Sequence, residues 1–251
     1  MTSSPIVLET EGLTKSFLGF VAVQDVSFTL RRGHIHAVIG PNGAGKTTFF
    51  NLLTKFLAPT SGRITYNGED ITHLKPAQIA RRGIVRSFQI SATFPHLRVL
   101  ENVRIALQRK LGTTFHFWRS EESLRVLDER ARELLAQVGL EAFADLQAVE
   151  LPYGRKRALE IATTIALDPE LILLDEPTQG MGHEDIDRVK ALIKRVAEGR
   201  TVLMVEHNMS VVADISDRIT VLQRGQILAE GTYREVSQDP RVVSAYLGVG
   251  H

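Results

Sequence analysis

Apolar residues along this chain fall into two alternating patterns: short aliphatic runs, and longer stretches that repeat near 3.6 residues. Residues 23–30 read as a strand, and residues 34–39 as a second strand that ends in a glycine-rich turn. Residues 47–56 then predict a buried helix whose apolar body is Phe49, Phe50, Leu52 and Leu53. Residues 63–66 predict a strand entering a tight turn at Asn67-Gly68. Further strands are predicted over 84–88, 171–174, 201–205 and 219–222. The 171 and 201 runs are apolar on both faces, as strands covered on both sides by helices should be. From 97 to 166 the pattern is helical, with Leu124, Leu127, Ala131, Leu134, Leu135 and Val138 as one stripe. This predicts an α/β core interrupted by a helical insert over about 97–166, with an antiparallel β element near the N-terminus.

Composition narrows the function. The 251 residues are 43% hydrophobic and 24% charged, ordinary values for a globular protein. Thirty basic residues against 29 acidic ones leave a net charge of +1, so the bulk charge gives no support to nucleic-acid binding. Cysteine is absent, which fits a reducing compartment and removes disulfides and thiolate metal sites. The polar N-terminus lacks the apolar core of a signal peptide. No run approaches the roughly 18 apolar residues of a membrane span, so work at a membrane would fall to a peripheral subunit.

The candidate chemistry begins at Gly40-Pro41-Asn42-Gly43-Ala44-Gly45-Lys46-Thr47, a phosphate loop with a strand before it and a helix after it. Glycines let backbone N–H groups curl around phosphates, and the helix N-terminus adds a positive dipole end. Lys46 is placed for the β- and γ-phosphates, Thr47 for Mg²⁺, and Thr48 follows within the nucleotide-binding set. The strand 171–174 ends in Asp175-Glu176. Asp175 is placed to hold Mg²⁺, and Glu176 to polarise the attacking water as general base.

With these residues in place, the sequence resembles the ABC ATPase family over nearly its whole length. The resemblance implies a P-loop NTPase core, a mixed sheet flanked by helices, in a single domain spanning 1–251, with ATP and Mg²⁺ as cofactors. It implies that Gln89, after Ser87-Phe88, touches Mg²⁺ and the attacking water, and that His207 contacts the γ-phosphate. Phe17 stands where the family stacks an aromatic on adenine, although a core aromatic is an equally simple reading of that position.

The signature segment departs from the family pattern. Where members usually show L-S-G-G-Q, this chain has Leu151-Pro152-Tyr153-Gly154-Arg155. Pro152 offers neither hydroxyl nor N–H. Tyr153 replaces a glycine, so a positive φ there would be strained. Gly154 and the helix dipole remain for the γ-phosphate of a second cassette, in trans. Gly182 stands where members commonly have an aspartate.

Finer details are similar to the ATP-binding subunits of branched-chain amino acid importers: Asn51-Leu52-Leu53-Thr54, Ile79-Ala80-Arg81, the run 83–89, and the end from Asp239-Pro240 to Ala245-Tyr246-Leu247-Gly248. Importers of urea, amides and aromatic acids look alike in the same places. The resemblance implies a second cassette and integral membrane permease subunits as partners, and indirectly a periplasmic or extracellular solute-binding protein. It implies no nucleic acid, and a peripheral position on the cytoplasmic face of the cell membrane. Phe94, Leu97 and the cluster Phe115-His116-Phe117-Trp118 are candidates for a permease-docking groove, or else for the insert's own core. A soluble ABC ATPase acting on DNA or ribosomes is the rival reading. The chain lacks the long coiled coil or paired cassettes of those proteins, and it lacks a guanine-reading [NT]-K-x-D motif.

Overall fold

A computed structural model describes residues 5–87, 93–110 and 121–247, the side chains of 109, 110, 121–126 and 247 excepted. The chain order is β1 (Ile6–Phe17), β2 (Phe20–Arg31), β3 (Ile35–Ile39), α1 (Lys46–Leu53), β4 (Ser61–Tyr66), β5 (Glu69–Asp70), α2 (Pro76–Arg81) and β6 (Ile84–Ser87). Then come α3 (Val99–Lys110), α4 (Glu121–Gln137), α5 (Tyr153–Ile165), β7 (Leu171–Asp175), α6 (His183–Ala197), β8 (Thr201–Val205) and α7 (Met209–Ile215). The chain closes with β9 (Arg218–Gln223), β10 (Gln226–Gly231), α8 (Tyr233–Gln238) and α9 (Pro240–Leu247).

Two sheets form. One is antiparallel, in the order β2-β1-β4-β5; the other runs β10-β9-β3-β8-β7-β6 and is parallel except for β10. Strand alternation divides the larger sheet between two cores. Ile172, Leu174, Val202 and Met204 face one core with α5, α6, α7 and the helices that follow β6. Leu171, Leu173, Leu203 and Val205 face the other, where Phe49, Phe50, Leu52 and Leu53 of α1 pack against the antiparallel sheet. Helix α1 is thus held between sheets, and the loop before it has a rigid base. Glu170 ties the sheets together: it accepts from Tyr66 Oη at 2.9 Å and Asn67 Nδ2 at 2.8 Å, and pairs with Arg32.

The predicted stripe on α4 is buried at Leu127, Ala131, Leu134 and Leu135, and continues into Val138 beyond the helix end. Asn67-Gly68 makes the expected turn, both residues at positive φ. The helix predicted over 47–56 stops earlier, at Leu53: Thr54 folds its hydroxyl back onto the Phe50 carbonyl at 2.8 Å, and Lys55 turns left-handed at φ 63°. The strand predicted at 23–30 is part of a longer one, β2, paired along β1.

Candidate functional site

Parallel strands β3, β8 and β7 end side by side, Val38 opposite Val205 and Val205 opposite Asp175. Ligands of open α/β sheets bind at such carboxyl ends. Here that edge carries the phosphate loop after β3, Asp175 and Glu176 at β7, and Glu206 and His207 after β8.

The loop's curl is forced by close packing at two glycines. A Cβ on Gly40 (φ 152°) would lie 2.1 Å from the Leu222 carbonyl oxygen, and one on Gly45 (φ 99°) would lie 2.4 Å from that of Ala22. Only glycine fits either place. Gly225 supports the loop from below, its N–H donating to the Ala44 carbonyl at 3.0 Å. Pro41, Asn42 and Gly43 form the outer rim, while Ala44 is buried. Lys46 is 9% exposed; its Nζ donates to the Gly40 carbonyl at 2.7 Å and the Pro41 carbonyl at 3.1 Å. Burial lowers its pKa, while the carboxylates of Glu176 and Asp175 pull it back up, which places both acids within electrostatic reach of the ammonium. Thr47 and Thr48 open α1, the first exposed and the second half-buried.

The acids are held differently. Asp175 is 3% exposed and its Oδ2 pairs with Arg86, whose other arm donates to Asn51 Oδ1 at 2.6 Å. Its backbone carbonyl accepts from Arg157 Nη2 at 2.9 Å. Glu176 is half-buried in a left-handed conformation, φ 45°, with its N–H on the Val205 carbonyl at 2.9 Å. Strain of this kind, in a residue other than glycine, collects at functional sites. His207 lies with 56% of its side chain exposed at the end of the neighbouring strand, free to meet a ligand from the solvent side. Beside it Glu206 is fully buried and receives four bonds, from the Thr178 N–H (3.0 Å) and hydroxyl and from the N–H groups of His207 (2.8 Å) and Asn208 (3.0 Å). Glu206 therefore fixes the backbone of His207 against the loop that follows Glu176.

Arg86, Arg157 and Glu206 are absent from the sequence-derived set. A charged residue beside an aliphatic run is rarely buried unless paired, which marks Arg86 and Glu206 as paired without saying with what; Arg157, after Arg155-Lys156, carries no such signal. Gln89 lies outside the described residues, as do Phe115, His116, Phe117 and Trp118. Phe94 is 51% exposed and Leu97 half-buried, in a loop braced by buried Asn102, which accepts from the Phe94 N–H at 2.7 Å.

Phe17 is not a core aromatic: it is 40% exposed at the β1–β2 hairpin, with the Lys15 ammonium 5.1 Å from its ring centre. It pairs with Phe20, two residues before Ala22, whose carbonyl abuts Gly45. The signature segment corrects one expectation. Tyr153 is the first residue of α5 and has no positive φ, so its side chain causes no strain. Pro152 precedes it with φ −57° and its carbonyl accepts from the N–H groups of Arg155 and Lys156, each at 3.0 Å. Gly154 is closely approached for a different reason: a Cβ there would lie 2.8 Å from the Asp185 carboxyl group, a side-chain end that can give way.

ATP and Mg²⁺ suit these residues. The cradle leaves no room for a side chain at Gly40 or Gly45, the Lys46 ammonium and the hydroxyls of Thr47 and Thr48 open the helix, and Thr47 and Asp175 offer the hard oxygen donors that Mg²⁺ takes. Among the described residues there is no cluster of three or more His, Asp or Glu that would hold a metal without a nucleotide.

The family model described as ABC transporter matches residues 23–179, more than half of the chain, from β2 to the loop after Glu176. The chain belongs to the ABC transporter family of ATP-binding cassettes. A second model, described as branched-chain amino acid ATP-binding cassette transporter, matches 226–251. The cassette is 41% identical to the high-affinity branched-chain amino acid transport ATP-binding protein BraF of Pseudomonas aeruginosa, covering 96% of this chain and 98% of that one. It is 40% identical to the corresponding LivG protein of Escherichia coli K12, covering 98% and 99%. Among solved structures, the ADP conformation of an ABC transporter cassette superposes with TM-score 0.85 at 31% identity, covering 98% of this chain and 100% of that one. A dimeric cassette bound to ADP and phosphate gives 0.75 at 26% identity, covering 90% and 99%. No helix among the described residues is long and apolar enough to cross a membrane.

Proposed function

We propose that this cassette is the ATP-hydrolysing motor subunit of an importer for branched-chain or related amino acids. One observation carries the reading: the phosphate loop after β3 and the Asp175-Glu176 pair after β7 flank β8 at the same edge of the sheet, in a chain whose C-terminal 226–251 matches the branched-chain group. The working unit is a single ABC domain over 1–251 with the helical insert about 97–166 inside it.

Within it, loop N–H groups from 40–46, Lys46, Thr47 and Thr48 hold the phosphates, and Phe17 stacks on adenine. Thr47, Gln89 and Asp175 would hold Mg²⁺. When bound, that ion neutralises charge on the phosphate oxygens. Glu176 takes a proton from the attacking water, and His207 donates a hydrogen bond to the γ-phosphate. A second cassette, identical or paralogous, supplies Gly154 and its helix end in trans. ATP then joins the two cassettes and hydrolysis releases them, a two-state closure that permease subunits read as work. The cassette acts on the cytoplasmic face of the membrane, and a solute-binding protein outside delivers the amino acid.

The test is uptake of radiolabelled leucine by proteoliposomes holding the cassette with the permease and binding protein encoded beside it. Uptake should require enclosed MgATP and vanish with Glu176→Gln. ATP-dependent uptake of urea but not leucine would reject the amino acid assignment.

A further inference from the structure

The end of β7 is gripped by two arginines, one buried and one half-buried, that arrive from different directions. Arg86 comes from β6, the strand that leads toward Gln89, and takes the Asp175 carboxylate. Arg157 comes from α5, the helix that begins at the signature, and takes the Asp175 backbone carbonyl at 2.9 Å. Arg157 is 6% exposed and pairs with Glu160, also 6% exposed, at 2.5 Å within the same helix. Burying such a pair costs several kcal/mol per ion, and well-packed apolar residues often serve stability as well or better. The pair therefore calls for a role beyond stability, and Arg157 reaches off the helix to the residue that carries the metal-site carboxylate.

Arg157 stands three residues, or about one helical turn, after Gly154. The α5 backbone between them is rigidly hydrogen-bonded. We propose that Arg157 is a positioning residue that couples the half-site α5 offers a second cassette to the carboxylates of its own nucleotide pocket. The proposal rests on the ATPase reading above. A shift of α5 on meeting the partner's nucleotide moves the Asp175 carbonyl through Arg157, and with it the next peptide, which sets the left-handed Glu176. Hydrolysis in one pocket thus depends on occupancy at the other end of the helix.

The test uses the full chain with MgATP, in three variants: Arg157→Met/Glu160→Met, Arg157→Lys and Glu176→Gln. The double variant removes both charges together and leaves no buried ion unpaired. It should melt within a few degrees of wild type and keep the KM for ATP. Its kcat should fall about tenfold, and the Hill coefficient for ATP, expected above 1 in wild type from the two-cassette mechanism, should fall toward 1. Arg157→Lys, which keeps the charge and one donor, should recover part of kcat. Wild-type kcat and cooperativity in the double variant would overturn the proposal, as would a loss of kcat matched by equal loss of ATP affinity, the mark of a structural role alone. If the double variant does not fold, Arg157→Lys decides, and unchanged kcat there overturns it. Near-normal turnover by Glu176→Gln would sink the ATPase reading instead, so the two failures are distinguishable.

Discussion

Two helices of this molecule begin where an anion can be met, and they are built in different ways. Helix α1 starts from a loop in which Gly40, Gly43 and Gly45 all have positive φ, so successive N–H groups turn inward around one point, with Lys46 at its centre. Helix α5 starts from Pro152 and Tyr153 with no positive φ at all. It offers the free ends of a first turn, a nearby phenol that donates to the Gln179 carbonyl at 3.2 Å, and the Asp185 carboxylate against Gly154. On the proposed function the first arrangement envelops a phosphate, and the second adds a helix end to a site built elsewhere. This difference is why the cassette reads as half of a pair: a whole pocket of its own, and a modest contribution to another's.

The comparison can be broken most severely at the glycines. Gly45→Ala would put Cβ against backbone and force a left-handed alanine, so a loss of about 3 kcal/mol is expected in urea unfolding. A loss below 1 kcal/mol would mean that the cradle is softer than its contacts imply.

The far end of α1 gives the next largest effect. Lys55 is 8% exposed and left-handed, its Nζ has no hydrogen-bond partner, and burial pushes its pKa down to about 8, with Asp70 opposing only in part. Lys55→Gly should add at least about 1 kcal/mol from the backbone alone. The sign of the pH dependence follows from linkage. Below pH 8 the lysine is charged in both states and the burial penalty is fully present. Between pH 8 and the unfolded value of 10.5 only the unfolded chain keeps the proton, so stability rises with pH. Tyr66 and Tyr246, pushed up to about 12 by burial, reverse the trend above pH ~10. Melting temperature should therefore climb by a few degrees from pH 7.5 to 9.5 in wild type and lose that climb in Lys55→Gly.

At the signature, Gly154→Ala should cost only about 1 kcal/mol, because it meets the end of a side chain, and adding Asp185→Ala should restore most of the loss. Equal costs at Gly154 and Gly45 would erase the contrast between the two helix starts. Smallest is Leu18→Asn. Leu18 and Gly19 both have positive φ in the β1–β2 turn, and asparagine tolerates that geometry better by a few tenths of a kcal/mol. The gain should appear in chemical denaturation, with no change in ATP affinity if the turn only carries Phe17.

Three hairpins show what a sequence pattern can carry. Asn67-Gly68 announces its turn, whereas Leu18-Gly19 and Arg224-Gly225 adopt the same positive-φ pair without the usual residue. β1 went unread as a separate strand because Thr10, Glu11, Thr14 and Lys15 interrupt its apolar positions, and only pairing with both β2 and β4 makes it continuous. The sequence placed the loop 40–47 and Asp175-Glu176 by their spacing and His207 by family resemblance, and all three fall at one edge of the parallel sheet. The site was not legible where residues act through a third dimension. Arg86, Arg157 and Glu206 lie on three separate elements and meet the strand ends only after folding. At Tyr153 the family glycine points to a positive φ that a Pro-started helix does not need, so no strain arises.

The measurement closest to the central claim is phosphate release by purified wild type and Glu176→Gln, with ATP binding followed on the same samples. The account predicts equal ATP affinity and a turnover lowered about 10²- to 10⁴-fold, the usual worth of a general base. Turnover by Glu176→Gln near the wild-type rate would contradict it.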